Sequence, residues 1–440
     1  MGRRAALRCD PRIKTRRHII VTDLKLGFFE TDITPDAPMQ LIGFGNSSKS
    51  QGIERQLRAQ VSIWQLDAIC CVLVAIDHIG FALDHAARLR NALGSLLGTG
   101  AEHVMLCFSH THAAPNDSLE PAYASMVDAR ILDAAHRALG SMRPVRIAWG
   151  CAETDIGVNR RNGGALDRRA GLLKVVDAQS GAPVLALMRL TAHGNALKSD
   201  NARISADWFG AARDILSRAW GCPVMLTQGA AGNVAPRFFC SKINPPDADD
   251  ASGRFIRTDD ALNEMGRTVL RDTQALFDSL QPHDVSVLRM FTVRGTLYAQ
   301  VPSPSRARAI AEEAAREAGI DGSGWLQEVA RLNEKGVSRQ SEQVELQYFQ
   351  LDEGALIGVP NEIMCELALE VRAQCGDLVF FGGYTNGCTG YLPTAAEYDR
   401  GGYEVFWSML HYYMYFGRVM PLERDSAARL VSMAEEGLRS

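Results

Sequence analysis

The strongest constraint in this chain is four residues long. Ser109-His110-Thr111-His112 follows an apolar run over 103–108 (HVMLCF) that reads as a buried strand. Ala114-Pro115-Asn116-Asp117 comes next, then a helical pattern over 119–139. Two histidines therefore stand where a strand ends and a loop begins. In extended backbone, residues i and i+2 face the same way, so His110 and His112 are expected to project together beyond the strand end. Open α/β sheets bind ligands at such carboxyl ends. An isolated His-x-His also serves simply to satisfy local hydrogen bonds, so the remainder of the chain has to decide.

The remainder repeats the pattern. Residues 68–76 (AICCVLVAI) form a continuous apolar run of the kind buried on both faces, and 80–97 reads as a helix. Segments 172–176 and 183–190 flank a hairpin turn, and the second runs into Thr191-Ala192-His193. A helix is expected over 207–220, with Asp207 at its N-cap or first turn. The strand at 223–226 empties into Gln228-Gly229-Ala230-Ala231-Gly232-Asn233, where small residues permit close backbone approach. Paired strands are expected over 285–299, and a charged helical hairpin over 305–335 that suits a lid or a partner face. Another hairpin spans 344–351 and 355–359. Helices are expected over 362–374 and 421–438.

Strands and helices interleave without a visible repeat or linker. The expected fold class is α/β, with a mixed, largely parallel sheet core and helices packed on it. We expect a single large catalytic domain over 23–440 with hairpin and helical insertions, behind a basic, flexible arm over 1–22. With 440 residues and 46% hydrophobic content, the chain can bury a large core. A net charge of -4 disfavours nucleic acid as the main partner. The Arg-rich start lacks the apolar core of a secretory signal, so the expected location is cytoplasmic. No run approaches the ~20 apolar residues that span a bilayer. Ten cysteines without a C-x-x-C pair read as reduced thiols.

Several strand ends thus deliver metal-competent side chains: His110, His112, His193 and Glu362. Imidazole and carboxylate suit zinc. Their spacing is wide, and no local motif such as H-E-x-x-H is present. On the residues alone, Glu362 fits a helix-start carboxylate as well as a ligand. Arg160 reads first as a surface arginine, and Tyr391 and Tyr403 as packing aromatics.

A series of pieces, in order, carries more. They are Asp32-Ile33-Thr34-Pro35 with Leu41-Ile42-Gly43-Phe44; Ser109 to Pro115; Gly157-Val158-Asn159-Arg160; and His193. Then follow Gln228 to Pro236, Pro360-Asn361-Glu362, and Gly390-Tyr391-Leu392-Pro393-Thr394 through Tyr403-Glu404. This order resembles the neutral, non-lysosomal ceramidases and their bacterial relatives, over the catalytic domain only. The resemblance implies Zn2+ held by His110, His193, Glu362 and Tyr391. It implies catalytic or substrate-facing roles for His112, Arg160 and Tyr403, and a backbone position close to the substrate at Gly43. In that reading zinc activates a water for attack on a carbonyl. His112 takes the proton and returns it to the leaving amine, while Arg160 or Tyr403 donates to the oxyanion.

Two departures stand inside the matching pieces. Ala235 occupies the place of a family serine, and Asn361 that of a glycine. A zinc-water mechanism needs neither, but ceramide specificity is no longer implied. The expected function is a zinc-dependent amidohydrolase acting on a small or N-acylated amide, or an ester. Amide formation or acyl transfer at the same zinc is the alternative, and an inactive metal-bearing binding protein the second. The expected partners are a small-molecule substrate and, left open, a second copy of the chain.

Overall fold

The computed structural model describes residues 23–44, 49–161, 163–241, 249–250, 253–255 and 260–439. The basic arm expected over 1–22 lies outside these residues. Eight strands form the main sheet, in the spatial order Val224–Gln228, Pro183–Leu190, Arg169–Asp177, Arg143–Glu153, Lys25–Asp32, Arg58–Leu66, Ile69–Ile76, Val104–Phe108. A second sheet runs Leu288–Gln300, Arg339–Leu351, Gly354–Gly358, Val379–Gly382.

The two sheets pack face to face. Trp64, Leu73, Met105, Leu187 and Met225 of the first meet Leu288, Phe349, Leu356 and Phe380 of the second. Trp64 is fully buried, with its ring 5.5 Å from that of Phe349. A side chain of that size in a filled core is worth about 3–5 kcal/mol against alanine.

Helices complete the layers. Leu83–Leu97 and Pro121–Gly140 cover the strands around Val61, Val72 and Leu106. Asp207–Trp220 and Asp260–Ser279 cover Leu172, Met188 and Val224. Cys365–Cys375 and Ser426–Arg439 cover the outer face of the second sheet around Tyr348 and Ile357. The arrangement is helix, sheet, sheet, helix, and the expected mixed α/β class is what the chain forms.

The share of parallel pairing differs from expectation. Within the main sheet only Ile69–Ile76 with Val104–Phe108, and Pro183–Leu190 with Val224–Gln228, run parallel. Its other pairings are antiparallel. The apolar run at 68–76 is buried on both faces, as expected, and has one parallel and one antiparallel neighbour. Here a second sheet, rather than a crossover helix, covers the other face. Likewise, residues 285–299 do not pair with each other. Leu288–Gln300 is one long strand paired antiparallel with Arg339–Leu351.

The charged segment forms two helices, Pro304–Ala318 and Ser323–Glu334. Their apolar faces (Ile310, Ala314, Trp325, Val329) pack against Val405, Phe406 and Leu410. Among the described residues no helix is long and apolar enough to cross a membrane. Every described cysteine is a free thiol.

Both sheets aim strand ends at one place. Phe108 N donates to Tyr384 O, Asn386 N donates to Leu106 O, and Cys107 bridges Thr385. The carboxyl end of Val104–Phe108 thus meets the segment that follows Val379–Gly382. The ends of Pro183–Leu190 and Gly354–Gly358 lead into the same region, where His193 and Glu362 lie.

Candidate metal centre and pocket

His110 leaves the end of its strand with φ +61°, in the left-handed region. A non-glycine residue held there costs on the order of 1–3 kcal/mol and persists only when its surroundings enforce it. Here His110 N donates to His78 O, and a Cβ on Gly194 would sit 2.5 Å from His110 O. The extended geometry expected for His-x-His is therefore absent. The rings converge nevertheless, with centroids 4.9 Å apart, because His110 turns back toward His193.

The backbone orients two of the three imidazoles. His110 Nδ1 lies 2.6 Å from Ile79 O, and His193 Nδ1 lies 2.9 Å from Ala231 O. A carbonyl only accepts, so both Nδ1 atoms carry the proton and both Nε2 atoms present lone pairs. Those lone pairs face Glu362: His110 Nε2 is 3.1 Å and His193 Nε2 is 3.6 Å from Oε2. His193 Nε2 is buried without a hydrogen-bond partner. Three lone-pair donors aimed at each other repel unless a proton or cation lies among them. This donor chemistry fits a metal ion, with the carbonyl bonds acting as the usual second layer behind ligating histidines.

His112 completes a group of three imidazoles whose ligating nitrogens lie within 4.8 Å of one another. Both its ring nitrogens are buried without a well-formed hydrogen bond, and the Gly43 backbone lies beside the ring. Phe44 packs on its ring at 4.8 Å. A Cβ on Gly43, whose φ is +134°, would sit 2.7 Å from His112 Cβ. Gly43 thus brings its backbone against His112. Burial foremost, and with it the Arg160 charge, pushes His112 well below its ordinary pKa. Burial and Arg160 do the same to His193, so both rings are neutral at pH 7.

Glu362 is not a helix-start carboxylate. It lies in a two-residue strand, Glu362–Ile363, paired in parallel with Tyr391–Leu392, and the helix begins at Cys365. That pairing sets Tyr391 directly beside Glu362. Arg160 Nη2 donates to Tyr391 OH at 3.3 Å and to Gly232 O at 2.8 Å. Its Nε pairs with Glu404 at 2.9 Å. Arg160 is therefore no surface side chain. Burial opposes its charge, but Tyr391 and Glu404 more than restore it. Burial and the Glu362 charge hold the Tyr391 phenol well above its ordinary pKa. A phenolate there requires a cation. Tyr403 is pushed up to about 12 by burial and Glu362, with its ring 6.2 Å from that of Tyr391.

All eight sequence-derived residues, His110, His112, His193, Glu362, Tyr391, Arg160, Tyr403 and Gly43, line one cavity of about 400 Å³. Ala235 lies deeper, buried on Val234–Pro236 and paired with Val158. Asp207 stands in the first turn of its helix, and its carboxylate accepts from Ala196 N and Leu197 N. It tethers the loop after His193, whose carbonyl takes the Trp208 indole N–H.

Four groups of residues escaped the sequence reading. Tyr384 packs at a tilt against His110, ring centroids 4.3 Å apart, and its hydroxyl donates to Glu362 at 3.4 Å. Cys388 Sγ lies 4.0 Å from the other Glu362 oxygen. The helix Ser408–Phe416 gives the pocket an aromatic wall of Tyr412, Tyr415 and Phe416. The dense aromatic run HYYMYF at 411–416 was the available signal for it.

The fourth group is His78, His85, Asp117 and Asp128. His85 is clamped at 2.9 Å on each side, Nδ1 to Asp117 and Nε2 to Asp128. Burial pulls its pKa down, but the two carboxylates win and carry it to about 9. A folded-state pKa above the unfolded value of about 6.5 stabilises fully below pH ~6.5. That contribution is lost as pH rises through about 9. Over this window we expect stability to fall by up to about 1.4 kcal/mol per pH unit from this one proton. Denaturant melts of the wild type and His85→Gln from pH 6 to 9.5 should show the slope shrinking in the variant. Equal slopes would remove His85 as the cause.

No family model matches the chain, and no curated protein is similar to it in sequence. Solved structures do match. The neutral ceramidase from Pseudomonas aeruginosa aligns with a TM-score of 0.69 and 19% identity, over 95% of this chain and 75% of that one. A ceramidase complexed with C2 aligns with a TM-score of 0.70 and 18% identity, over the same shares. With fewer than one residue in five identical, the likeness is one of backbone architecture, and the chain carries the fold of the neutral ceramidases along nearly its whole length.

Proposed function

We propose that this protein is a zinc-dependent amidohydrolase that cleaves an amide bond of an N-acylated substrate. The observation that carries the reading is the convergence of His110 Nε2 and His193 Nε2 on one oxygen of Glu362, with His112 and Arg160 alongside. His110, His193, Glu362 and Tyr391 would hold the ion. A zinc bound there supplies Lewis acidity and lowers the pKa of water to near ~7.

The chain's own residues do the rest. His112 is neutral, lines the pocket and holds neither ring nitrogen in a well-formed hydrogen bond, so it is placed to accept a proton and return it to the leaving nitrogen. Arg160 and Tyr403 are donors on the Tyr391 side, placed to stabilise the charge that develops on the carbonyl oxygen. Phe44, Ile320 and Phe416 line the cavity and favour an apolar acyl or aryl arm. The likeness to ceramidases makes ceramide one compound to try. Incubating the zinc-loaded protein with ceramides and with short N-acyl amines tests the reading. Release of free amine that stops on chelation supports it, and no cleavage in either series sinks it.

Arg160 depends on a second layer. Glu404 bridges Arg160 and Arg161, the latter also held by Glu397 and by Gly401 O. Glu404 sits in the π-turn Tyr403–Trp407, a bulge of the kind that recurs at functional sites. We expect Glu404→Ala to lower kcat about 10²-fold with little change in KM, by letting Arg160 drift. Glu404→Gln, which keeps an acceptor for Arg160, should recover most of the loss. Equal losses in the two variants would mean that the charge, not the position, matters.

A further inference from the structure

One wall of the pocket carries charge that hydrolysis does not use. Asp117 Oδ2 accepts from His85 Nδ1 at 2.9 Å and from Ala82 N at 3.4 Å. His78 is engaged elsewhere, with Nε2 2.8 Å from Pro115 O and Nδ1 accepting from Gly80 N. It stays 4.0 Å from Asp117 Oδ1, and burial keeps it neutral. One protonated histidine thus serves two carboxylates, Asp117 and Asp128, and the group keeps a surplus negative charge.

That surplus is presented to the cavity. Asp117 and Ser118 line it, whereas Asp128 does not. Asp117 is only 7% exposed, and among the described residues no donor lies within hydrogen-bonding distance of its Oδ1. A carboxylate oxygen that faces a cavity without a protein donor takes its hydrogen bond from water or from a ligand that displaces it. Arg160 cannot be that donor, because Glu404, Tyr391 and Gly232 already hold it. Phe81, Ile320 and Phe416 surround the same space and lower its dielectric, which strengthens any charge pair formed there.

We propose that Asp117 is a recognition subsite for a protonated amine on an otherwise apolar ligand, so that the preferred amide bears a free ammonium group. The word "amide" rests on the amidohydrolase reading; the ammonium subsite does not.

Calorimetric titration of the metal-loaded protein at pH 7 with hexylamine and with 1-hexanol tests it. Hexylammonium is expected to bind about ten- to a hundredfold tighter than hexanol, the worth of one charge-assisted hydrogen bond. Asp117→Asn should bring the two within about threefold by weakening only the amine; it retains an acceptor for His85, and its melting curve reports whether it folds. Equal affinities in the wild type overturn the proposal whether or not the variant folds, and so does failure of both probes to bind. An amine preference that survives in Asp117→Asn overturns it too, since it would place the amine at Glu362. A protein that binds hexylammonium through Asp117 yet cleaves no amide would retain the subsite and lose the hydrolase reading.

Discussion

Replacing His112 by alanine is expected to lower kcat on any cleaved amide by about 10²–10⁴-fold, the usual worth of a positioned general acid–base. KM should change little, and bound metal, measured by plasma mass spectrometry, should stay at the wild-type level. The expectation follows from asymmetry among the three imidazoles. His110 and His193 each spend Nδ1 on a carbonyl and aim Nε2 at Glu362. His112 makes no comparably formed hydrogen bond at either nitrogen, although the Gly43 backbone lies beside it. A ligand is held still by such a bond, whereas a residue that must take and return a proton keeps one nitrogen uncommitted. Loss of metal together with activity in His112→Ala would contradict this division and make His112 a ligand.

The second large effect is expected at Glu362. Glu362→Ala should lower metal affinity by at least about 10²-fold, more than removal of an outer partner typically costs, and abolish amide cleavage. The measurement is metal content after dialysis against a weak chelator. Two donor sets are available in this fold, and they predict opposite outcomes. If His110, His193 and Glu362 hold the ion, the variant comes out empty. If His110, His112 and His193 hold it, the variant keeps a full complement. Tyr391→Phe should give a milder loss, because its hydroxyl is shared with Arg160.

Much of this site was legible before any coordinates, but not always for the right reason. His110 and His112 were placed together by assuming extended backbone. They meet because His110 departs from it, at φ +61°. Only the position, just past the apolar run, was readable. The register of Glu362 with Tyr391 was not readable, since a two-residue parallel pair leaves no periodicity. Ordered motifs, not pattern, put those residues side by side.

The sheet misled for a physical reason as well. Strands sandwiched between layers lose the in-out alternation that marks antiparallel pairing, so the run at 68–76, parallel to one neighbour and antiparallel to the other, did not reveal how much of the sheet is antiparallel. The acid–base group around His85 left no trace because its members come from separate elements, at 78, 85, 117 and 128, with unremarkable spacing. Tyr384 and Cys388 were invisible for a similar cause. Their meaning comes only from the return of the second sheet's strand ends to His110 and Glu362.

The wide separation of His110, His193 and Glu362 along the chain has a consequence for how a cation gets in. During synthesis, a nascent polypeptide exposes at most two of these three donors until Glu362 has been made, 169 residues after His193. Early capture of whichever ion is abundant is then weak, and tight binding awaits closure of contacts between the two halves. Selection among metals passes from availability during translation to the shape of the finished cage. An ion bound there would act as a late-fitted keystone, so its withdrawal should loosen the seam between the two sheets before it disturbs either sheet alone.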